Sequence, residues 1–82
     1  MGTDFEKLVK RIVVPLVINP EDVLVKKLVE DDFQIHIQLL VNKSDVGRVI
    51  GKGGRIANAI RTIIYAGASK EGKKVHLDID SY

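Results

Sequence analysis

Phe5, Leu8, Val9, Ile12, Val13, Leu16 and Val17 recur at i, i+3, i+4 and i+7, the spacing that lines apolar side chains along one face of a helix. Thr3-Asp4-Phe5-Glu6 has the form of a capping box, with the Thr3 hydroxyl available to the Glu6 N–H, so the helix should start near Asp4. Pro15 lacks an amide donor and should kink the last turn, and Asn19-Pro20 should stop the helix. The period then changes. Residues 23–30 are rich in apolar and β-branched side chains and predict a strand ending at an Asp31-Asp32 turn. Phe33, Ile35, Ile37, Leu39 and Val41 alternate with Gln34, His36, Gln38, Leu40 and Asn42, predicting a second strand with one buried face and one mostly wet.

Asn42 is placed to cap a short helix over about residues 43–49, which fails at the glycines that follow. A longer helix is predicted from Gly54 to about Ala66, closed by Gly67. Residues 68–74 form a polar loop, and Val75, Leu77 and Ile79 alternate with His76, Asp78 and Asp80 as a last strand. The order is α-β-β-α-α-β. Two helices between the second and last strands leave room for a right-handed crossover, so those strands should be parallel and the first antiparallel to one of them. The predicted fold class is α+β, a three-stranded mixed sheet covered on one face by three helices. Residues 1–82 hold no repeat, linker or low-complexity segment and are expected to form a single domain.

A domain of 82 residues buries a modest fraction of its surface, which favours a shallow groove over an enclosed active site. No apolar run is long enough to span a bilayer and no secretion signal opens the chain. The absence of cysteine excludes disulfides, thiolate metal sites and a cysteine nucleophile, and fits the cytoplasm. Net charge is only +2, but residues 43–74 carry eight cations (Lys43, Arg48, Lys52, Arg55, Arg61, Lys70, Lys73 and Lys74) against Asp45 and Glu71, so this stretch is +6 and the remainder −4. Such a cluster is commonly just a solvated surface. Here its cations flank the run Val49-Ile50-Gly51-Lys52-Gly53-Gly54-Arg55-Ile56, which points to a polyanion-binding face.

Glycines at 51 and 54 permit positive φ and let a ligand's backbone approach the main chain. The helix opening at Gly54 aims unpaired N–H groups at the loop, and Lys52 and Arg55 add full charges. A tight helix-to-helix turn would explain one glycine but has no use for three beside two cations. A nucleotide P-loop is excluded because no Ser or Thr follows Lys52, and the dinucleotide fingerprint fails because the loop follows a helix.

Ile50-Gly51-Lys52-Gly53-Gly54, between a short and a longer helix, resembles the G-x-x-G loop of KH domains, and the element order looks like the type II topology found mainly in bacteria. The stretch from Asp45 to Arg61, with the N-terminal helix and the overall length, is similar to small bacterial single-KH proteins of the KhpA type. That resemblance implies single-stranded RNA held by backbone contacts from Gly51, Lys52, Gly53 and Gly54. It puts one groove wall on Val46, Val49 and Ile50, with Arg48 and Arg55 nearby, and the other on the last strand and residues 68–74, where Lys70, Lys73 and Lys74 face the ligand. It also implies self-association, or pairing with a larger KH protein of the Jag type, and a post-transcriptional regulator or RNA chaperone. Ala57 departs from the large aliphatic residue that many KH domains carry at this position.

On the long helix, apolar residues from Ile56 to Ala68 cover an arc of roughly 200°, more than packing on one sheet requires. The excess is covered either by the N-terminal helix or by a subunit interface using Ala59 and Ile63. Tyr65 falls opposite Ile56 and Ile60, so no aromatic residue is expected near the groove and base stacking is not available. His36, His76 and Asp78 should meet on the open face of the sheet, a poor zinc signal, and neither metal nor cofactor is expected. Ser44, Ser69 and Ser81 have no base or orienting acid at a recognisable spacing, so no catalysis is expected. Two other functions fit the same residues: a protein-interaction module whose long helix is the working surface, and a binder of single-stranded DNA, which presents a similar backbone.

Overall fold

Ile35, Ile37, Leu39 and Val41 are buried to within 1% of complete, while the residues between them stay partly exposed. This alternation makes β2 (Gln34–Val41) the centre of the fold in the computed structural model, which describes residues 4–82. β1 (Leu24–Glu30) pairs antiparallel along one edge of β2, and β3 (Lys74–Ser81) pairs parallel along the other, giving the order β1-β2-β3. The crossover between β2 and β3 carries α2 (Val46–Ile50) and α3 (Arg55–Lys70). With α1 (Phe5–Val13) they place the core on one face of the sheet. The predicted fold class holds.

α1 contributes Phe5, Val9 and Val13, and α3 contributes Ala57, Ile60, Ile64 and Ala68, each set on one helical stripe. They close over β2 and over Val75 and Leu77 of β3. Each fully buried Ile, Leu or Val contributes about 1.5–3 kcal/mol, so these stripes decide the topology. The other face of the sheet is open. There His36 Nε2 lies 2.7 Å from Asp78 Oδ2, and the His36 and His76 rings meet edge to face at 6.0 Å. The three residues do come together as expected, yet among the described residues no group of His, Cys, Asp or Glu is arranged to hold a metal ion.

Four details differ from the sequence reading. Thr3 lies outside the described residues, and the N-cap of α1 is Asp4, whose Oδ1 accepts from the Lys7 N–H at 3.1 Å. α1 gives way to a 3₁₀ turn over Val14–Leu16, where Pro15 supplies no amide donor. Phe33 is not the first inward residue of β2 but sits in the turn, 78% exposed, because the Asp31 carboxylate accepts the N–H groups of Phe33 and Gln34 and closes the turn there. Gly67 does not end α3. It lies inside the helix, where a Cβ would come 3.2 Å from the Phe5 ring, and α3 runs on to Lys70 before Gly72 turns the chain with φ +71°.

Candidate nucleic-acid interface

The glycine loop is set by what holds α2. The Asn42 side chain accepts from the Ser44 N–H at 2.9 Å and opens a 3₁₀ turn over Lys43–Asp45 that leads into α2. Asp45 is fully buried: Oδ1 accepts the Ile18 N–H at 3.1 Å, and Oδ2 accepts the Asn19 N–H at 2.9 Å and Asn19 Nδ2 at 3.0 Å. Burial pushes this carboxyl up, but the hydrogen bonds from Ile18 and Asn19, with the Arg48 charge, outweigh it and hold it below its ordinary value. Val49, also fully buried, anchors α2 from the core side, so it supports the groove wall rather than presenting surface.

α2 then stops because Gly51 takes φ +74°, while its N–H still closes the last turn on the Gly47 carbonyl at 2.9 Å. Gly53 and Gly54 follow at φ +65° and +78°, so all three glycines of the run are left-handed. Their outer surroundings differ. A Cβ on Gly51 would lie 2.7 Å from Ile56 Cγ1, whereas one on Gly53 would meet nothing within 4 Å. Gly51 is therefore demanded by the packing of Ile56 under the loop. Gly53 is demanded by conformation alone and leaves the outer surface bare.

No side chain caps the N-terminus of α3, a 16-residue helix that begins beside this bare surface; the Gly54 and Arg55 N–H groups close on the Gly51 and Lys52 carbonyls, and the positive end of the helix dipole lies at the loop. Lys52 and Arg55 are exposed beside it and make no ion pair or side-chain hydrogen bond among the described residues. Arg48 is committed elsewhere, with Nη1 donating to the Ser44 carbonyl at 3.1 Å and lying 3.6 Å from Asp45. The loop thus offers the positive end of a helix and two uncommitted cations to an anion.

The KH resemblance puts the second groove wall along β3. The Lys74 and Tyr82 N–H groups donate to the Phe33 and Val41 carbonyls of the β2 side, so even-numbered residues of β3 turn their main chain inward. Val75, Leu77 and Ile79 therefore turn theirs to the unpaired edge. Arg61, which the sequence reading counted only as a charge, donates from Nε and Nη2 to the Leu77 carbonyl at 3.3 and 3.2 Å, tying α3 to that edge. Tyr65 and Ser69 continue the same stripe at intervals of four. With Lys73, Lys74, Val75 and His76 they line a hollow of about 390 Å³. Tyr65 thus lies beside the residues to which the resemblance assigns the second groove wall, contrary to the expectation that no aromatic residue is near it. Measured from the buried stripe, the flank of α3 that faces β3 is the one bearing Arg61 and Tyr65. Lys70 and Lys74 are exposed at this end, and Lys73 Nζ pairs with Glu30 at 3.1 Å.

A model of the KH domain of KhpA and KhpB matches residues 6–79. This chain belongs to the KhpA/KhpB KH-domain family. Among the curated KhpA proteins, the RNA-binding protein KhpA of Listeria monocytogenes is 53% identical over 74 residues, spanning 90% of this chain and 96% of the relative. Those of Bacillus subtilis and Clostridium perfringens are each 47% identical over 74 residues, covering 90% of this chain and 90% and 97% of the relatives. The names of these relatives describe RNA binding and no reaction. No described helix of this KhpA/KhpB domain is long and apolar enough to cross a membrane.

Proposed function

We propose that the whole chain acts as one KH domain that binds single-stranded RNA with little sequence discrimination, in the cytoplasm, as a post-transcriptional regulator or RNA chaperone. The observation that carries this reading is the open surface over Gly53, bordered by the uncapped start of α3 and the uncommitted Lys52 and Arg55. Curated relatives that share about half its residues are named for binding RNA. Phosphates lie on the Gly51–Gly54 main chain, bases lie over Ile50 toward the β3 edge, and Lys70, Lys73 and Lys74 attract the strand at the far end. With three or four phosphates neutralised, log K should fall against log salt with a slope of about −2 to −3. Titration of a labelled oligouridylate at several salt concentrations measures this, and a slope near zero would remove the electrostatic basis. An equal-length DNA strand run beside it tests whether the sugar matters.

Assembly through α3 is the second part of the reading. Ile63 is 49% exposed, and Ala59 and Ala66 are exposed on the same side of α3, beside the Gly67 flank that touches Phe5 of α1 but not covered by it. Contact with α1 therefore leaves part of the apolar arc uncovered, and a second copy or a second KH protein is its proposed cover. Ile63→Asp should convert a dimer to a monomer in sedimentation while RNA still contacts the loop. Loss of RNA binding in that variant alone, with loop variants unaffected, would instead make the chain primarily an interaction module.

A further inference from the structure

We propose that the hollow beside Tyr65 is a stacking subsite for an unpaired base of the same RNA strand, beyond the nucleotides held by the glycine loop. The proposal rests on the RNA-binding reading and extends it. Four observations support it together. Tyr65 is 43% exposed, and its neighbours Val75 and Ser69 give it an apolar and a small polar flank. The hollow measures about 390 Å³, enough for one nucleobase, and is open on one side. Its charged wall is of one sign, Lys73 and Lys74, with Lys70 in the last turn of α3; Glu30, the carboxylate paired with Lys73, belongs to β1. The hollow also lies in line with the loop: Arg61, Tyr65 and Ser69 follow one another at intervals of four along the helix that starts there.

Spacing fixes which nucleotide is concerned. Tyr65 lies eleven residues beyond Gly54, about 16 Å along the α3 axis. A KH loop clamps about four nucleotides, so a strand laid from Gly54 along the β3 edge reaches Tyr65 with its next base. Arg61 prepares that path. By taking the Leu77 carbonyl it removes one acceptor from the unpaired edge and holds α3 at a fixed distance from β3. A phenol ring then receives a base by its face, an interaction every base can make, while Lys74 meets the adjoining phosphate.

The test uses oligouridylates of about four and about eight nucleotides with the full chain. In a Tyr82→Phe protein, Tyr65 is the remaining tyrosine, so its fluorescence reports the subsite directly without altering it. The longer strand should quench that emission and the shorter one should not. Tyr65→Leu should weaken the longer strand about 10-fold, the size of one lost stack, with the shorter strand bound as before, and Tyr65→Phe should bind both normally. Thermal unfolding of each variant checks the fold. Equal affinity of Tyr65→Leu and wild type for the longer strand, unquenched Tyr65 emission, or equal loss for both strands would overturn the subsite and leave the loop reading standing. Failure of the wild type to hold either strand would overturn both.

Discussion

Replacing Lys52 and Gly53 together by aspartate should weaken oligouridylate binding at least about 100-fold while lowering the melting midpoint by no more than about 4–8 °C. The two halves of this result have separate causes. Binding falls because two carboxylates replace a cation and a bare surface at the point where phosphate meets the N-terminus of α3. Most of the stability is kept because the Cβ added at position 53 meets no atom within 4 Å, and aspartate is among the residues that best tolerate a left-handed φ. The remaining strain is on the order of 1 kcal/mol. Gly51→Ala should behave in the opposite way. Its φ of +74° and a Cβ 2.7 Å from Ile56 Cγ1 combine backbone strain with overpacking, about 2–4 kcal/mol in all, which lowers the midpoint by roughly 10 °C or more. Anisotropy titrations and thermal circular dichroism on the two variants separate a ligand surface from a folding requirement. If the double variant binds within threefold of wild type, the loop is only a turn.

What the sequence revealed and what it hid divide along a physical line. Strand β2, the stripe of α1 and the parallel crossover follow from periods of two and about three and a half, which are local properties of the chain. The loop was legible for the same reason, since three glycines between two apolar segments leave few conformations. Gly67 misled because a glycine near a helix end resembles a stop signal, and only the Phe5 ring, 62 positions earlier in the chain, explains it as a site of close packing. A signal was present: Ala57, Ile60, Ile64 and Ala68 keep one stripe through position 67, so the helix had to continue. Tyr65 misled because its side of α3 was judged against the apolar residues alone. The spacing of Arg61, Tyr65 and Ser69 by four marks a second flank, but which strand edge it faces is a matter of tertiary placement. Asp45 gave no local signal at all, because its donors are 26 and 27 residues away.

Asp45→Asn should lower the melting midpoint by roughly 10 °C or more, and Asp45→Ala should lower it further. The asparagine has nearly the aspartate's shape, but one of its two terminal atoms is an amide donor. It must face either the Ile18 N–H or the pair of donors from Asn19, so a buried donor meets a donor. Alanine leaves all three donors and the void. Because these contacts pin the connection between α1 and β1 to the start of α2, they also set where α2 delivers Gly51, and loop affinity should fall with stability. The pH dependence gives an independent check. The native carboxyl sits below its ordinary value, so its contribution is fully present above the unfolded value of about 3.9 and is lost as pH falls through the native one. Glu30, held down by hydrogen bonds from Lys27 and Lys73, and Asp31, held down by the N–H groups of Phe33 and Gln34, shift in the same direction. Both are solvent-exposed, so screening keeps their parts small. The wild-type midpoint should therefore stay nearly level from neutral pH down to about 4 and drop below it, while Asp45→Asn declines less steeply and the gap between the two narrows. A gap that stays constant down to pH 2 would show that the charge on Asp45 is not what holds the α2 end of the glycine loop in place.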